Sequence, residues 1–298
     1  FSAWIRDNKI PEKRVTPVDH LSFIGSRAMG ALEYEPARIV GEDSAFSVDV
    51  QRLYEFAKQV LNDREAIVLN EKTSILWQDL VKISSSPGGK RPKAIVAINK
   101  STGEVVSGQG KIPDGFKNYV LKYDDNTAYP YAKLEYVYYL MAQDAGIEIM
   151  PSELKTYDGI SHFITERFDR IDNNKIHTQT LAAISPTSES YEDIFTVIRR
   201  LNLPYEDNRQ QFLRMVFNVL ARNVDDHSKN FAFCMNKKGE WRLSPAYDLT
   251  FSVDLGAPGY TNRHSLNINS KSENITRQDL ESVGLKNDIK DYKILIDK

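Results

Sequence analysis

Two carboxylates and an amide lie at a spacing that could support phosphoryl transfer. Asp225 and Asn230 are five residues apart, and Asp248 follows Asn230 by eighteen residues. In the catalytic loop of a kinase, an Asp at this offset accepts the proton of the attacked hydroxyl, and the Asn holds Mg²⁺. Carboxylate and amide oxygens are also the hard ligands that Mg²⁺ prefers. The spacing therefore predicts Asp225 as a general base, with Asn230 and Asp248 as metal ligands.

Apolar segments flank residues 223–230, here called the site loop, and would anchor it. Before the loop, apolar residues recur at helical spacing and predict an amphipathic helix with the stripe Phe212, Met215, Val216, Val219 and Leu220. After the loop, residues 231–243 are typical of a hairpin whose turn is Lys237-Lys238-Gly239. Because a hairpin reverses the chain, it would return Asp248 to the neighbourhood of the site loop.

Two other interpretations of these residues stay open. The loop could be a structural turn in which Asp and Asn cap local backbone groups, with Asp248 doing the same elsewhere. A metal-dependent hydrolase could instead draw its ligands from Asp225, Asp226, His227 and Asp248. Adjacent carboxylates point apart in most backbones, which disfavours the hydrolase. We expect His227 to brace the loop and not to act as the base.

Upstream, a loop rich in serine, glycine and cations precedes an apolar strand. Residues 84–93 contain Gly88, Gly89 and three cations. A glycine loop with free N–H groups and cationic neighbours suits phosphate oxygens, although a solvated approach to a hairpin would have the same composition. Lys122 lies in a second apolar strand. It would either sit at a sheet edge with its ammonium in water or reach nucleotide phosphates.

Composition restricts the class of protein. The chain has 298 residues, of which 41% are hydrophobic and 27% charged, and a net charge of −2. These values suit a globular protein with room for two cores and argue against strong non-specific binding to nucleic acid. No apolar run approaches the length of a membrane span and no signal peptide is visible, so we expect a cytoplasmic protein. Cys234 lies in an apolar run and predicts a buried small hydrophobe. Phe at position 1 predicts that the natural chain begins earlier.

Other segments carry start and stop signals for helices and strands. Residues 16–19 predict a capped helix that ends near Gly25. Further helices are predicted to end at Gly146, to begin after Ser190, and to run from Thr276 to the last residue. Strands are predicted at residues 30–34, 94–98, 118–123, 162–170 and 265–268.

Together these motifs resemble the HipA family of serine/threonine kinase toxins. The resemblance covers most of the chain and rests on Gly88-Gly89-Lys90-Arg91-Pro92-Lys93-Ala94, Tyr119-Val120-Leu121-Lys122, Glu166-Arg167-Phe168-Asp169-Arg170, Asp225-Asp226-His227-Ser228-Lys229-Asn230 and Tyr247-Asp248. The last two motifs, in this order and spacing, are the most specific. The chain departs from the family in lacking much of its small N-terminal subdomain.

The resemblance implies an α+β, two-lobed protein-kinase-like fold that uses ATP and Mg²⁺. Residues 1–171 would form a mixed N-terminal lobe with an antiparallel sheet, the phosphate loop and the nucleotide lysine. Residues 172–298 would form a mainly helical C-terminal lobe with the catalytic and metal motifs.

The resemblance also implies roles for single residues. The nucleotide would be bound by residues from several motifs: Gly88, Gly89, Lys122, Glu166, Phe168 and Lys229. Lys122 would contact the phosphates and so share in catalysis, while Glu166 and Phe168 would contact the adenine from the hinge. Relatives silence themselves by phosphorylating a serine in the phosphate loop. Ser85 matches that position, although Ser84 and Ser86 leave the register open.

The function implied is that of a serine/threonine protein kinase acting as the toxin of a toxin–antitoxin pair. Relatives pair with a small helix-turn-helix antitoxin that binds operator DNA, and some phosphorylate an aminoacyl-tRNA synthetase. The expected partners are therefore a protein substrate, an antitoxin and, mainly through the antitoxin, operator DNA; no membrane is expected. The alternatives are a small-molecule phosphotransferase and a non-catalytic kinase-fold partner of a DNA-binding antitoxin.

Overall fold

The computed structural model describes residues 5, 10–37, 47–50, 52, 93–109, 111–124, 129–157, 159–253 and 262–298. By contacts between residues, the chain divides into two compact units. The first unit comprises Phe1–Ala132 and Glu153–Lys175, and the second comprises Lys133–Ser152 and Ile176–Lys298. The sequence-based division at residue 171 differs from this one mainly in residues 133–152, which group with the second unit.

An antiparallel sheet forms the centre of the first unit. Its strands are β1 (Lys93–Ile98), β2 (Val105–Ser107), β3 (Lys117–Lys122), β4 (Ser152–Tyr157) and β5 (Ile160–Glu166). They lie in the order β2–β1–β3–β5–β4, with β3 antiparallel to both β1 and β5. All five apolar residues of β1 after Lys93 are buried, as an unbroken apolar run predicts for an interior strand.

The helix predicted after residue 16 is present as α1 (Pro17–Ile24). Thr16 Oγ1 accepts a hydrogen bond from Asp19 N (3.3 Å), and the Asp19 carboxylate accepts one from Thr16 N (2.9 Å). This reciprocal pair is a capping box, and it fixes the start of the helix. Farther along the unit, β6 (Arg170–Ile171) and β7 (Asn174–Lys175) form a small hairpin.

A buried ionic cluster joins the segment after α1 to the residues after β5. The Asp169 carboxylate accepts hydrogen bonds from Arg167 Nε (2.8 Å) and Nη2 (2.7 Å), Arg170 Nη1 (2.9 Å) and Gly30 N (2.7 Å). Burial alone would raise the pKa of Asp169, but the two arginines and the Gly30 N–H hold it below its usual value. The prediction of a strand at residues 30–34 is wrong. The main chain of Gly30 bonds to Asp169 and Arg170 and not to a neighbouring strand.

The second unit contains most of the helices. They are α2 (Tyr131–Asp144), α3 (Leu181–Ile184), α4 (Tyr191–Arg200), α5 (Tyr205–Leu220), α6 (Arg277–Lys286) and α7 (Tyr292–Asp297). Their core includes Tyr191, Phe195 and Phe212, all fully buried. α2 contributes Tyr138, whose ring meets Phe217 edge-on at 6.1 Å. This packing explains why residues 133–152 group with the second unit.

The second unit also contains a three-stranded sheet. β8 (His177–Thr180), β9 (Ala232–Met235) and β10 (Trp241–Leu243) lie in the order β10–β9–β8, with antiparallel pairing. The predicted hairpin after the site loop is confirmed as β9 and β10. Its turn uses Gly239 at φ 81°, a left-handed conformation that glycine adopts without strain.

Three other expectations for the second unit need correction. Leu220 is 63% exposed, because α5 ends there and the apolar stripe stops one residue earlier. Residues 265–268 form isolated bridges, such as Asn267 with Ser190, and no continuous strand. The last helix is broken at Asn287, whose Nδ2 donates to the carbonyl of Val283 (2.9 Å) and caps α6. In the part of the chain that the structure describes, no helix is long and apolar enough to span a membrane.

Candidate catalytic site

The site loop begins where α5 ends. Ala221 N closes the last helical turn on the carbonyl of Phe217 (2.8 Å), and Arg222 then adopts φ 58°. Asn223 N donates back to the carbonyl of Asn218 (3.0 Å). The loop is therefore tied to the end of a helix whose opposite face lies in the core of the second unit.

Asp225 is presented to solvent by its main chain. Its side chain is 64% exposed. Its N–H donates to Ser252 Oγ (3.0 Å), which also accepts from Val224 N (2.8 Å), and its carbonyl accepts from Asn230 Nδ2 (2.7 Å). These three bonds use main-chain atoms of Val224 and Asp225, so they fix the backbone at this position.

Asp226 points the opposite way, into the core. Its Oδ2 accepts from Tyr191 Oη and from His264 Nδ1 (both 2.7 Å), and its Oδ1 accepts from Ser265 N (2.8 Å). Burial, together with the Asp226 carboxylate, raises the pKa of Tyr191 well above its usual value, so the hydroxyl stays a donor. Both oxygens of Asp226 are thus occupied by protein donors, which disfavours the hydrolase interpretation.

A chain of side-chain amides extends this network beneath the loop. Asn218 Nδ2 donates to Tyr191 Oη (2.9 Å), and Asn223 Nδ2 donates to Asn218 Oδ1 (3.0 Å). Ser252 Oγ donates to Asn223 Oδ1 at a longer 3.3 Å. The same small group of polar residues therefore reaches both Asp226 and the main chain of Asp225.

The two predicted metal ligands are connected through the residues that precede them. Tyr247 Oη donates to the carbonyl of Lys229 (2.7 Å), so the chain just before Asp248 is bonded to the chain just before Asn230. Tyr247 and Asn230 also line one small cavity. Burial, and secondarily the Asp248 carboxylate, raises the pKa of Tyr247, which keeps this donor protonated.

The chemistry of these two side chains fits Mg²⁺. Asn230 Nδ2 donates a hydrogen bond to the carbonyl of Asp225, which leaves the amide oxygen Oδ1 for a metal ion. Asp248 is half-buried and adopts φ 57°, a conformation that is uncommon outside glycine and that Asp and Asn tolerate best. Mg²⁺ usually binds few protein ligands, all with hard oxygen atoms, and phosphate oxygens supply other ligands. An amide oxygen and a carboxylate meet this requirement.

His227 and Lys229, two further residues of the site loop, make fewer contacts with the residues described above. His227 Nε2 lies 3.8 Å from Asp225 Oδ1, too far for a hydrogen bond. Lys229 is exposed, and its carbonyl is the acceptor for Tyr247. Within the described ranges, no group of three or more His, Cys, Asp or Glu side chains is arranged to hold a metal ion.

In the first unit, Lys122 lies on an interior strand. β3 runs between β1 and β5, and Lys122 stands opposite Lys93 on one side and Phe163 on the other. The edge-strand alternative for Lys122 is therefore wrong. Its Nζ lies 5.8 Å from the centre of the Phe163 ring, within cation–π range. The two opposed lysines concentrate positive charge at the end of β3.

The predicted hinge residues follow directly on β5. Glu166 ends the strand, and its carboxylate accepts a hydrogen bond from Lys117 Nζ (2.9 Å). Phe168 is half-buried between Arg167 and Asp169 of the ionic cluster, so the cluster holds this segment in place. The predicted phosphate-loop residues Gly88, Gly89 and Ser85 lie outside the described residues.

Several residues that shape the loop carried no signal in the sequence. Tyr191, Ser252 and His264 lie between 27 and 38 residues along the chain from the loop residues that they contact. None belongs to a periodic pattern or a motif. Asp226 itself belongs to the motif at residues 225–230, but nothing in that motif predicted its buried hydrogen bonds to Tyr191 and His264.

Comparisons with known proteins point to one family. Residues 85–294 match the model of the HipA-like C-terminal domain. Two curated relatives carry the name "Putative kinase": Y4mE of Sinorhizobium fredii, 25% identical over 38% of this chain and 30% of its own, and a Haemophilus influenzae protein, 26% identical over 55% of this chain and 51% of its own. The chain thus spans between about a third and about half of the length of these relatives.

A solved structure shares the fold. It is the complex of HipA, HipB and operator DNA from the toxin–antitoxin system of Shewanella oneidensis MR-1. The match has a TM-score of 0.70 at 16% identity, and it covers 99% of this chain and 71% of the other. The architecture is therefore the mixed α+β, HipA-like fold. Since the family model also matches residues 85–294, the chain belongs to the HipA-like C-terminal domain family.

Proposed function

We propose that this protein is an ATP- and Mg²⁺-dependent kinase that phosphorylates a serine or threonine hydroxyl of a protein. One observation carries the proposal. Asp225 is exposed while its main chain is fixed on both sides, and the fixing bond on one side comes from Asn230, whose amide oxygen is left for a metal. A base held beside a metal ligand, on a fixed main chain and with an exposed side chain, suits proton abstraction from a substrate hydroxyl.

The residues of the second unit divide the chemistry among them. Asp225 would accept a hydrogen bond from the substrate hydroxyl and take its proton as that oxygen attacks the γ-phosphorus of ATP. The bond from the γ-phosphorus to its bridging oxygen then breaks, and ADP leaves. Asn230 and Asp248 would hold Mg²⁺, which would supply neutralising charge for the phosphate oxygens. His227 stays outside the proton transfer, because its Nε2 is 3.8 Å from the Asp225 carboxylate and the loop is held by other bonds.

The first unit supplies the nucleotide contacts in this proposal. Lys122 would contact the phosphates, because it stands opposite Lys93 at the end of β3, where positive charge suits an anion. Gly88 and Gly89 cradle the phosphates, and Glu166 and Phe168 contact the adenine. The Glu166 carboxylate is engaged by Lys117, so its contact would use the main chain. The two units would correspond to the two lobes of a kinase fold.

The proposal extends to the role of a toxin. The related fold from Shewanella oneidensis is that of a HipA in complex with HipB and operator DNA. By analogy, this protein would bind a small DNA-binding antitoxin and reach operator DNA through it, and phosphorylation of Ser85 would inhibit the kinase. The alternative of a small-molecule phosphotransferase uses the same site residues and differs only in the acceptor.

The proposal can be tested by comparing ATP turnover in the wild type with that in variants of two residues of the site loop, Asp225 and His227. Asp225→Asn should bind ATP like the wild type and lose roughly 10²- to 10⁴-fold in ADP formation with Mg²⁺, because only the base is removed. His227→Gln should retain most of the activity at its own pH optimum. A wild-type protein that forms no ADP, or an equal loss in both variants with the loop intact, would count against the kinase assignment. A protein acceptor that gains phosphate separates the protein kinase from the small-molecule alternative.

A further inference from the structure

Asp226 is the residue of the site loop whose side chain faces the core, and its contacts suggest a role for residues that are distant in the sequence. Asp225 and Asp226 are neighbours with opposite environments: one side chain is 64% exposed, the other fully buried. The two side chains leave adjacent positions of one backbone and point to opposite sides, one to solvent and one to the core. The bonds that hold Asp226 in the core therefore restrict the backbone from which the Asp225 side chain departs.

We propose that His264 and Tyr191 are positioning residues for Asp225, and that they act through Asp226. The inference rests on the proposed kinase function. His264 and Tyr191 each place a donor 2.7 Å from the same Asp226 oxygen, Oδ2. Carboxylate oxygens only accept hydrogen bonds when ionised, so His264 Nδ1 carries the proton of its bond. Two donors on one oxygen leave Asp226 a single orientation.

The two donors come from different elements of the second unit. Tyr191 is the first residue of α4, is fully buried, and is itself held by Asn218 Nδ2. His264 precedes Ser265, whose N–H and Oγ donate to Asp226 Oδ1 (2.8 Å) and to the carbonyl of Val224 (3.1 Å). The loop is thus fastened on its inner side to a helix start and to the 262–268 segment at once.

The outer side of the loop is fastened by other residues, to which Tyr191 is linked only indirectly, through Asn218 and Asn223. Ser252 Oγ holds the N–H groups of Val224 and Asp225, and Asn230 Nδ2 holds the carbonyl of Asp225. None of these bonds involves His264 or Tyr191. Loss of either inner donor should therefore loosen Asp226 and rotate the Asp225 carboxylate, while ATP, bound by other residues, keeps its affinity.

Paired substitutions at His264 separate positioning from mere stability. His264→Leu keeps volume but removes the donor, whereas His264→Asn places an amide N–H close to the position of Nδ1. We expect His264→Leu to lower kcat for ADP formation on the order of 10²-fold, the effect of a displacement near 1 Å, with the Kd of ATP within about twofold. His264→Asn should recover to within about threefold of the wild type.

A second readout does not depend on activity. Amide hydrogen exchange in residues 223–230 should accelerate roughly tenfold in His264→Leu, because a hydrogen bond to a charged group is lost, and return to the wild-type rate in His264→Asn. Tyr191→Phe removes the other donor to Asp226, together with the acceptor of Asn218 Nδ2, and should show the same acceleration, which keeps the test available if His264→Leu fails to fold. His177→Leu, at a half-buried histidine of β8 that contacts Trp241, is the matched control and should leave the loop unchanged.

The outcomes are distinguishable. Faster loop exchange with a lower kcat, both rescued by His264→Asn, supports the positioning role. Unchanged exchange in folded His264→Leu and Tyr191→Phe, or faster exchange with an unchanged kcat, overturns it while the kinase proposal stands. Faster, rescued exchange in a protein whose wild type forms no ADP supports the fastening of the loop and refutes the proposed function alone.

Discussion

Replacement of Asp169 by Asn should destabilise the first unit more than any surface change of the same type. The side chain of Asp169 is 1% exposed, and so is that of Arg167, while that of Arg170 is 9% exposed. The carboxylate accepts four hydrogen bonds, all within 2.9 Å. An Asn of the same shape would leave two buried guanidinium groups facing a neutral amide that itself carries two donors.

The expected loss of stability can be worked out from the buried arginine charges that Asp169→Asn would leave without a carboxylate. Four hydrogen bonds to a charged group would sum to roughly 6–12 kcal/mol at about 1.5–3 kcal/mol each, but the desolvation of the carboxylate offsets much of this. Removal of one partner of a buried ion cluster costs about 3–5 kcal/mol, because the remaining charges stay buried. We therefore expect about 3–5 kcal/mol of destabilisation in Asp169→Asn near neutral pH.

The effect should depend on pH in one direction. The pKa of Asp169 lies below its usual value in the folded protein, so its contribution to stability is present above the unfolded pKa of about 3.9 and is lost as pH falls towards the folded pKa. The difference in stability between wild type and Asp169→Asn should accordingly shrink below about pH 4.

Chemical denaturation and hydrogen exchange can measure this difference. The amide of Gly30, which donates to Asp169, should exchange faster in Asp169→Asn and so report on the first unit specifically. Asp172→Asn is the matched control: it changes the same residue type in an exposed turn at φ 46°, which Asn tolerates, and should shift stability by less than about 0.5 kcal/mol. Equal stability of the two variants, with Gly30 still protected, would refute the reasoning.

Three further predictions concern the nucleotide. Lys122→Ala should weaken ATP binding in calorimetry with little change in thermal unfolding; unfolding with no effect on ATP would make Lys122 structural. Asp248→Ala should abolish the tightening of ATP binding by Mg²⁺, and unchanged tightening would remove Asp248 from the metal site. Mass spectrometry after incubation with ATP and Mg²⁺ should find one phosphate within Ser84–Ser86, with Ser85 as the expected position, and none in Asp225→Asn. A phosphate on Ser85 would add roughly −1.5 to −2 charges beside the cations of the loop and so repel the nucleotide. An active enzyme with all three serines unmodified, and full activity in Ser85→Asp, would contradict that mode of control.

Local features of the fold could be predicted from the sequence because short-range chemistry specifies them. The capping box at Thr16 and Asp19 involves residues three apart, and the β9–β10 hairpin needs only two apolar runs and Gly239 at its turn. The Asp225-to-Asn230 offset likewise lies within one loop. In each case the residues that interact are close in the chain, so their types and spacing carry the information.

The features that were missed or wrong depend on distant partners. An apolar strand with one lysine looks the same at an edge and in the interior, and only the pairing of β3 with β1 and β5 places Lys122. Residues 30–34 were predicted as a strand, yet Gly30 bonds to Asp169, 139 residues away. The partners of Asp226 lie 35 to 39 residues from it on either side. Contacts of this range leave no period in the sequence.

The offset of five between Asp225 and Asn230 has a geometric reason in this structure. The chain folds into a short 3₁₀ turn at Ser228–Asn230, with Asn230 N bonded to the carbonyl of His227 (2.8 Å). That turn reverses the loop, so the side chain of Asn230 meets the carbonyl of Asp225 at 2.7 Å. One residue more or fewer would rotate the amide by about a third of a turn and break this bond. The spacing of five residues therefore links the proposed base to the proposed metal ligand. Asp226 lies between them in the sequence, but its side chain is buried in the core.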